Sequence, residues 1–70
     1  MEKFPARGQT VEPRKGYRSF TCEVYGWKRA MIYKVEDMGM TSPLCTIKGI
    51  NEMGVTFTVS EYADRMQLVI

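Results

Sequence analysis

Val55-Thr56-Phe57-Thr58-Val59-Ser60-Glu61-Tyr62-Ala63-Asp64-Arg65-Met66-Gln67-Leu68-Val69-Ile70 is the stretch that decides the fold class. Val55, Phe57 and Val59 alternate with Thr56, Thr58 and Ser60. A period of two, apolar on one side and hydroxyl on the other, is what a half-buried strand requires. Ser60 to Asp64 interrupts the alternation for about one helical turn. Met66, Leu68 and Ile70 then resume it, with Gln67 on the opposite side. Strand, tight turn and strand predict the closing part of a small β-barrel.

Working back along the chain, Asn51-Glu52-Met53-Gly54 reads as a hairpin connection, with Gly54 placed for the positive φ that short hairpin loops need. Leu44 to Ile50 reads as a strand. Asp37 to Pro43 is a loop, because Gly39, Thr41, Ser42 and Pro43 cannot sustain a central strand. Trp27 to Met38 admits two readings. As a strand, Trp27, Met31, Tyr33 and Val35 share a face with Arg29, opposite Lys28, Ile32 and Lys34. As a helix, Trp27, Ala30, Met31, Val35 and Met38 form an apolar stripe ending at Gly39. The strand is favoured. Lys28 and Arg29 at the start and Glu36 and Asp37 at the end oppose a helix dipole, and no capping residue precedes Trp27.

Tyr17 to Tyr25 reads as a first strand, with Phe20, Cys22 and Val24 inward and Gly26 ending it. Residues 1–16 read as a flexible N-terminal arm. They hold Pro5, Gly8, Pro13 and Gly16, several charges, and only Phe4 and Val11 as sizeable apolar groups. The domain proper is then 17–70, and truncation of residues 1–13 is expected to leave it folded.

The fold class expected is all-β, or β-rich with one short helical turn, in four to five antiparallel strands. The alternative is α+β with a helix at about 27–38. The pattern resembles the SH3-like small barrel over residues 17–70, through topology and not through a diagnostic motif. The resemblance implies a fold only. The acidic and aromatic groove motifs of signalling SH3 domains are not evident, so proline-rich peptide binding is not implied. The expected core is Phe20, Cys22, Val24, Met31, Ile47, Val55, Phe57, Val59, Leu68 and Ile70.

Composition narrows the function classes. Seventy residues make one domain with one small core, and 44% hydrophobic content is enough to fold it. No run approaches the roughly 18 apolar residues of a membrane span, and the first ten residues lack a signal-peptide core. No membrane association and a cytoplasmic location are expected. Charge is unevenly spread. Residues 1–34 carry eight basic against three acidic side chains, and residues 35–70 carry two against five, so the halves stand at +5 and −3. Such a dipolar chain can steer a partner without general adhesion.

Catalysis has little support. Histidine, the commonest base near neutral pH, is absent. Ser19, Ser42 and Ser60 have no recognisable activating partner. Cys22 and Cys45 fall at inward positions, where thiols are reduced and inert, and they lack zinc-site spacing. No isolated glycine forms a phosphate cradle. Neither a metal nor a cofactor is expected.

Two binding readings remain. The first is a small non-enzymatic interaction protein, a regulator, inhibitor or assembly subunit, that engages a protein partner through loops and arm. Its site residues are Phe4, Met38, Met40 and Met53, because six methionines in 70 residues is high and methionine adapts to irregular surfaces. The second is a nucleic-acid-binding barrel. Lys15, Arg18, Tyr25, Trp27, Lys28, Arg29 and Lys34 interleave cations for phosphates with rings for bases. Oligomeric state is not set by the sequence.

Overall fold

The computed structural model describes residues 3–16 and 20–69, without the side chains of Phe20 and Cys22. The elements in chain order are β1 (Thr10–Pro13), α1 (Phe20–Tyr25), β2 (Ala30–Glu36), β3 (Leu44–Ile50), β4 (Thr56–Tyr62), a 3-10 turn (Ala63–Arg65) and β5 (Met66–Leu68). The five strands form one antiparallel sheet in the order β4-β3-β2-β1-β5. The small β-rich domain expected from the sequence is present, with its single 3-10 turn before the last strand. The outermost strands are β4 and β5, and no ladder joins them among the described residues.

Alternation in the sequence becomes alternation in burial. In β4, Phe57, Val59 and Glu61 are buried, while Thr56, Thr58 and Ser60 are exposed. In β3, Cys45 and Ile47 turn inward opposite Glu61 and Val59. Asn51 closes the β3–β4 hairpin: its Oδ1 accepts from Met53 N at 2.9 Å and Val55 N at 3.0 Å. Gly54 takes the expected positive φ, 79°. Gly49 is needed for another reason. A Cβ there would stand 2.8 Å from the Arg29 carbonyl oxygen and 3.2 Å from the Phe57 ring.

Residues 27–38 resolve as strand β2 and not as a helix, but with the opposite phase from that expected. Trp27 lies before the strand and is fully buried. Within β2, Ala30 and Ile32 face the core, whereas Met31 and Tyr33 are exposed. A bulge between Ile32 and Lys34 inserts Tyr33 as an extra residue, which then shifts the remaining register. The core is Val11, Trp27, Ala30, Ile32, Cys45, Ile47, Phe57, Val59, Ala63 and Met66, with Phe4 and Leu68 packed against it. Of the expected core, Ile47, Phe57 and Val59 are buried. Met31, Val24 and Val55 are exposed and are corrected. Ile70 and the Phe20 and Cys22 side chains lie outside the described residues.

The expected strand at 17–25 is corrected over its second half. Residues 20–25 are helical, and 17–19 lie outside the described residues. The helix ends where Gly26, at φ 67°, adopts the left-handed conformation that closes helices. Its position is fixed through Thr21. Trp27 Nε1 donates to Thr21 Oγ1 at 3.1 Å, and Thr21 Oγ1 donates to Glu61 Oε2 at 2.6 Å. The helix is thereby held to β4 by a part-buried polar relay.

The N-terminal arm is corrected as well. Residues 10–13, expected outside the core, form β1 between β2 and β5, and Val11 is 0% exposed. The preceding residues fold back along the sheet. Gly8 N donates to Ile32 O at 2.8 Å, and Ile32 N donates to Gln9 O at 2.9 Å. The Gln9 side chain brackets the turn, accepting from Ala6 N at 2.8 Å and donating to Lys3 O at 2.9 Å.

Two stability outcomes are expected. Deleting residues 1–13 removes β1 and separates β5 from the sheet, so the truncated chain should lose cooperative thermal unfolding by circular dichroism. Phe57→Ala removes a ring with centroids 6.3 Å from both Tyr25 and Trp27. It should cost about 3–5 kcal/mol in urea denaturation, a large share of a domain margin of about 5–15 kcal/mol.

Candidate functional site

The loop between β2 and β3 is tied down at both ends. At its start, Asp37 Oδ1 accepts from Gly39 N at 3.0 Å. At its end, buried Ser42 Oγ accepts from Asp64 N at 2.9 Å, and Ala63 N donates to Pro43 O at 3.0 Å. The 3-10 turn therefore anchors the loop, and its middle is left to solvent. Met38 is 55% exposed and Met40 60% exposed.

Because the N-terminal residues fold back along β2, they meet this loop. Lys3 and Pro5 form one wall of an open groove of about 460 Å³, and Val35, Asp37, Met40, Thr41 and Pro43 form the rest. Its size falls in the range of about 300–1,000 Å³ typical of ligand pockets. The lining is mixed: Pro5, Val35, Met40 and Pro43 are apolar, and Lys3, Asp37 and Thr41 are polar.

The expected protein-binding residues thus separate. Met40 lines this groove, and Met38 is exposed two residues before it in the same loop. Met53, 86% exposed, lies on the β3–β4 hairpin, at the far end of strands about 20 Å long. Phe4 is not a free anchor. It packs against the core and lines a second groove, with Arg14, Ala63, Met66 and Leu68. Pro5, Val35 and Pro43 were not evident as site residues. Their meeting depends on the Gln9 bracket and on β1 lying beside β2, both of them non-local.

The basic and aromatic set is scattered. Trp27 is fully buried, so its ring cannot stack an unpaired base. Tyr25 is exposed at the end of α1 and stacks on Phe57. Lys28 and Arg29 border a groove that also contains Glu12 and Glu52, and Lys28 Nζ lies 3.4 Å from Glu52. Lys34 Nζ lies 3.1 Å from Glu36, on the outward face of β2. Lys15 is exposed, and Arg18 lies outside the described residues. A different basic grouping was missed. Lys48 Nζ stands 3.9 Å from the centroid of the Tyr33 ring, and the Arg7 guanidinium stands 5.3 Å from it. Arg7, Tyr33 and Lys48 are distant in sequence, and they meet because Tyr33 lies on the exposed face of β2, which Met31 shares with its register partner Lys48.

Cys45 is buried on the inner side of β3, where desolvation pushes its thiol pKa up. Among the described residues, no three acidic or cysteine side chains are grouped to hold a metal ion, and no helix is long and apolar enough to cross a membrane. Comparison with protein-family models, curated proteins and solved structures returns no match.

The Cys45 environment sets an expected pH dependence. Its folded pKa is raised, so above the ordinary thiol range the unfolded chain ionises first and holds fewer protons. Stability should therefore fall as pH rises through that range, and Cys45→Ala should flatten the decline seen in denaturant titrations. With the wild type at neutral pH, a thiol reagent should label Cys45 slowly until denaturant is added. Rapid labelling of this residue, located by peptide mapping, would contradict its burial.

Proposed function

We propose that this chain is a small, non-enzymatic interaction module that holds a protein partner in the groove between its N-terminal residues and its β2–β3 loop. The observation that carries the reading is the meeting of Pro5, Val35, Met40 and Pro43 across that groove. Apolar Pro5, Val35, Met40 and Pro43 beside polar Lys3, Asp37 and Thr41 suit a short amphipathic segment of another protein, its apolar side chains against the first set and its polar ones against the second. The flexible Met40 side chain repacks around a guest at low cost. The strand order, with β1 between β2 and β5 and a 3-10 turn before β5, supports an SH3-like architecture for the module. Regulator, inhibitor and assembly subunit are all roles that such a module can fill. Its working compartment is proposed to be the cytoplasm.

The nucleic-acid reading retains one observation in its favour, the cations Arg7 and Lys48 around exposed Tyr33 on the outward face of the sheet. Against it stand the buried Trp27 and the carboxylates beside Lys28 and Lys34.

Selection from a displayed peptide library, followed by calorimetric titration of the enriched peptides, tests the proposal. Peptides with two or more apolar anchors should bind the wild type. Met38→Ser with Met40→Ser should weaken them by about tenfold or more, because apolar area is lost from exposed positions. The melting temperature should change little. Recovery from the source cell of a partner that disappears on nuclease digestion, together with loss of that capture in Lys48→Glu, would instead support the nucleic-acid reading.

A further inference from the structure

The outer edge of β4 lies apart from the groove, with no strand of the described residues beside it. The hydrogen bonds that flank β4 fix which of its groups face β3. Asn51 N donates to Val55 O at 2.9 Å, and Ala63 N donates to Pro43 O at 3.0 Å. Between these two contacts the register runs without a shift, with Phe57, Val59 and Glu61 opposite Gly49, Ile47 and Cys45. Hydrogen-bonded and non-bonded pairs alternate in an antiparallel ladder. The odd-numbered residues of β4 therefore bond to β3. The N–H and C=O groups of Thr56, Thr58 and Ser60 point away from it, and no described residue takes them up. The edge is closed at its far end, where Tyr62 N donates to Glu61 Oε1 at 3.0 Å.

Sheet edges are usually guarded by a proline, a lysine, a bulge or short length. On the other side of this sheet, β5 is only three residues long. In contrast, β4 has seven residues, no proline, glycine or lysine, and a single charged side chain, Glu61, which is buried.

We infer that the β4 edge pairs with the same edge of a second copy of this chain, antiparallel, about a two-fold axis at Thr58. The sequence of the open stretch selects that occupant. Thr56-Phe57-Thr58-Val59-Ser60 reads hydroxyl, apolar, hydroxyl, apolar, hydroxyl, the same in both directions. With the axis at Thr58, Thr58 faces its own counterpart, and Thr56 faces Ser60 of the second copy, both on the exposed side. On the core side Phe57 faces Val59. Hydroxyl pairs and aromatic–β-branched pairs are both favourable cross-strand neighbours. Every outward N–H and C=O of residues 56, 58 and 60 finds a partner in this register. A shift by two residues would draw in the Tyr62 N–H, which Glu61 already holds. Residues 56–60 carry no charge, so two copies approach without like-charge repulsion. An isologous pair of this kind closes on itself and stops at two.

Sedimentation equilibrium over a range of concentrations tests the inference. The wild type should be a dimer. Thr58→Lys and Thr58→Glu each place like charges at the axis, and each should dissociate about tenfold or more readily, since every change at a two-fold axis acts twice. Both should keep the wild-type circular dichroism spectrum, because residue 58 is exposed and its side chain leaves the core untouched. An equal mixture of the two variants should recover the dimer, as lysine then faces glutamate. A wild type that stays monomeric at millimolar concentration would overturn the inference, as would single variants that dimerise like the wild type. Failure of the mixture to recover the dimer would overturn the Thr58 axis. These outcomes are independent of the methionine groove, which the Thr58 substitutions do not touch.

Discussion

The chain of contacts from Trp27 through Thr21 to Glu61 is the constraint on which the rest of the structure depends. An indole buried completely must still satisfy its N–H, and a carboxylate buried among strands must have donors. Thr21 serves both, accepting from one and donating to the other. That hydroxyl ties α1 to β4 on the inner side of the sheet. It also explains why a charged residue occupies an inward position of β4 where the alternation would ask for an apolar one. Tyr25 and Phe57 then stack beside the relay, and Gly49 stays bare so that the Phe57 ring can approach β3.

Legibility in the sequence follows how local each cause is. β3, β4, the hairpin at Asn51–Gly54 and the turn before β5 were readable because period-two burial and turn chemistry act within a few residues. The existence of β2 was readable, but its phase was not. The phase is set by Trp27 being buried ahead of the strand and by a one-residue bulge, neither of which marks the sequence. α1 was misread because Phe20, Cys22 and Val24 alternate as a strand would, and six residues are too few for a helical period to declare itself. Its helicity is tied to Thr21 reaching Trp27 and Glu61. β1 was missed because four residues ending in proline, with Val11 as their one large apolar side chain, resemble an arm. Only its neighbours on both sides make it a strand.

The same division holds for the candidate site. Exposed Met38 and Met40 could be anticipated from their loop, since nothing around them offers a core-facing period. The opposite wall of the groove could not, because Pro5 is brought there by Gln9 bridging Lys3 and Ala6. The scatter of the basic set has a similar origin. Residues that interleave along the chain are distributed by the sheet to opposite faces and opposite ends, and two of the lysines meet carboxylates there.

The place of β1 between β2 and β5 also dictates an order of events during synthesis. Gln67 Nε2 donates to Glu12 Oε2 at 3.0 Å across 55 residues of sequence. The β2–β3–β4 meander can assemble from adjacent hairpins as it emerges from the ribosome. β1 is made first but finds its second neighbour only when β5 has been translated. Pairing across so long a separation is entropically slow. Until β5 is made, Val11 lacks the neighbour, Leu68, that it pairs with in the native sheet. The edge of β1 that β5 closes in the native sheet is thus the last to be paired.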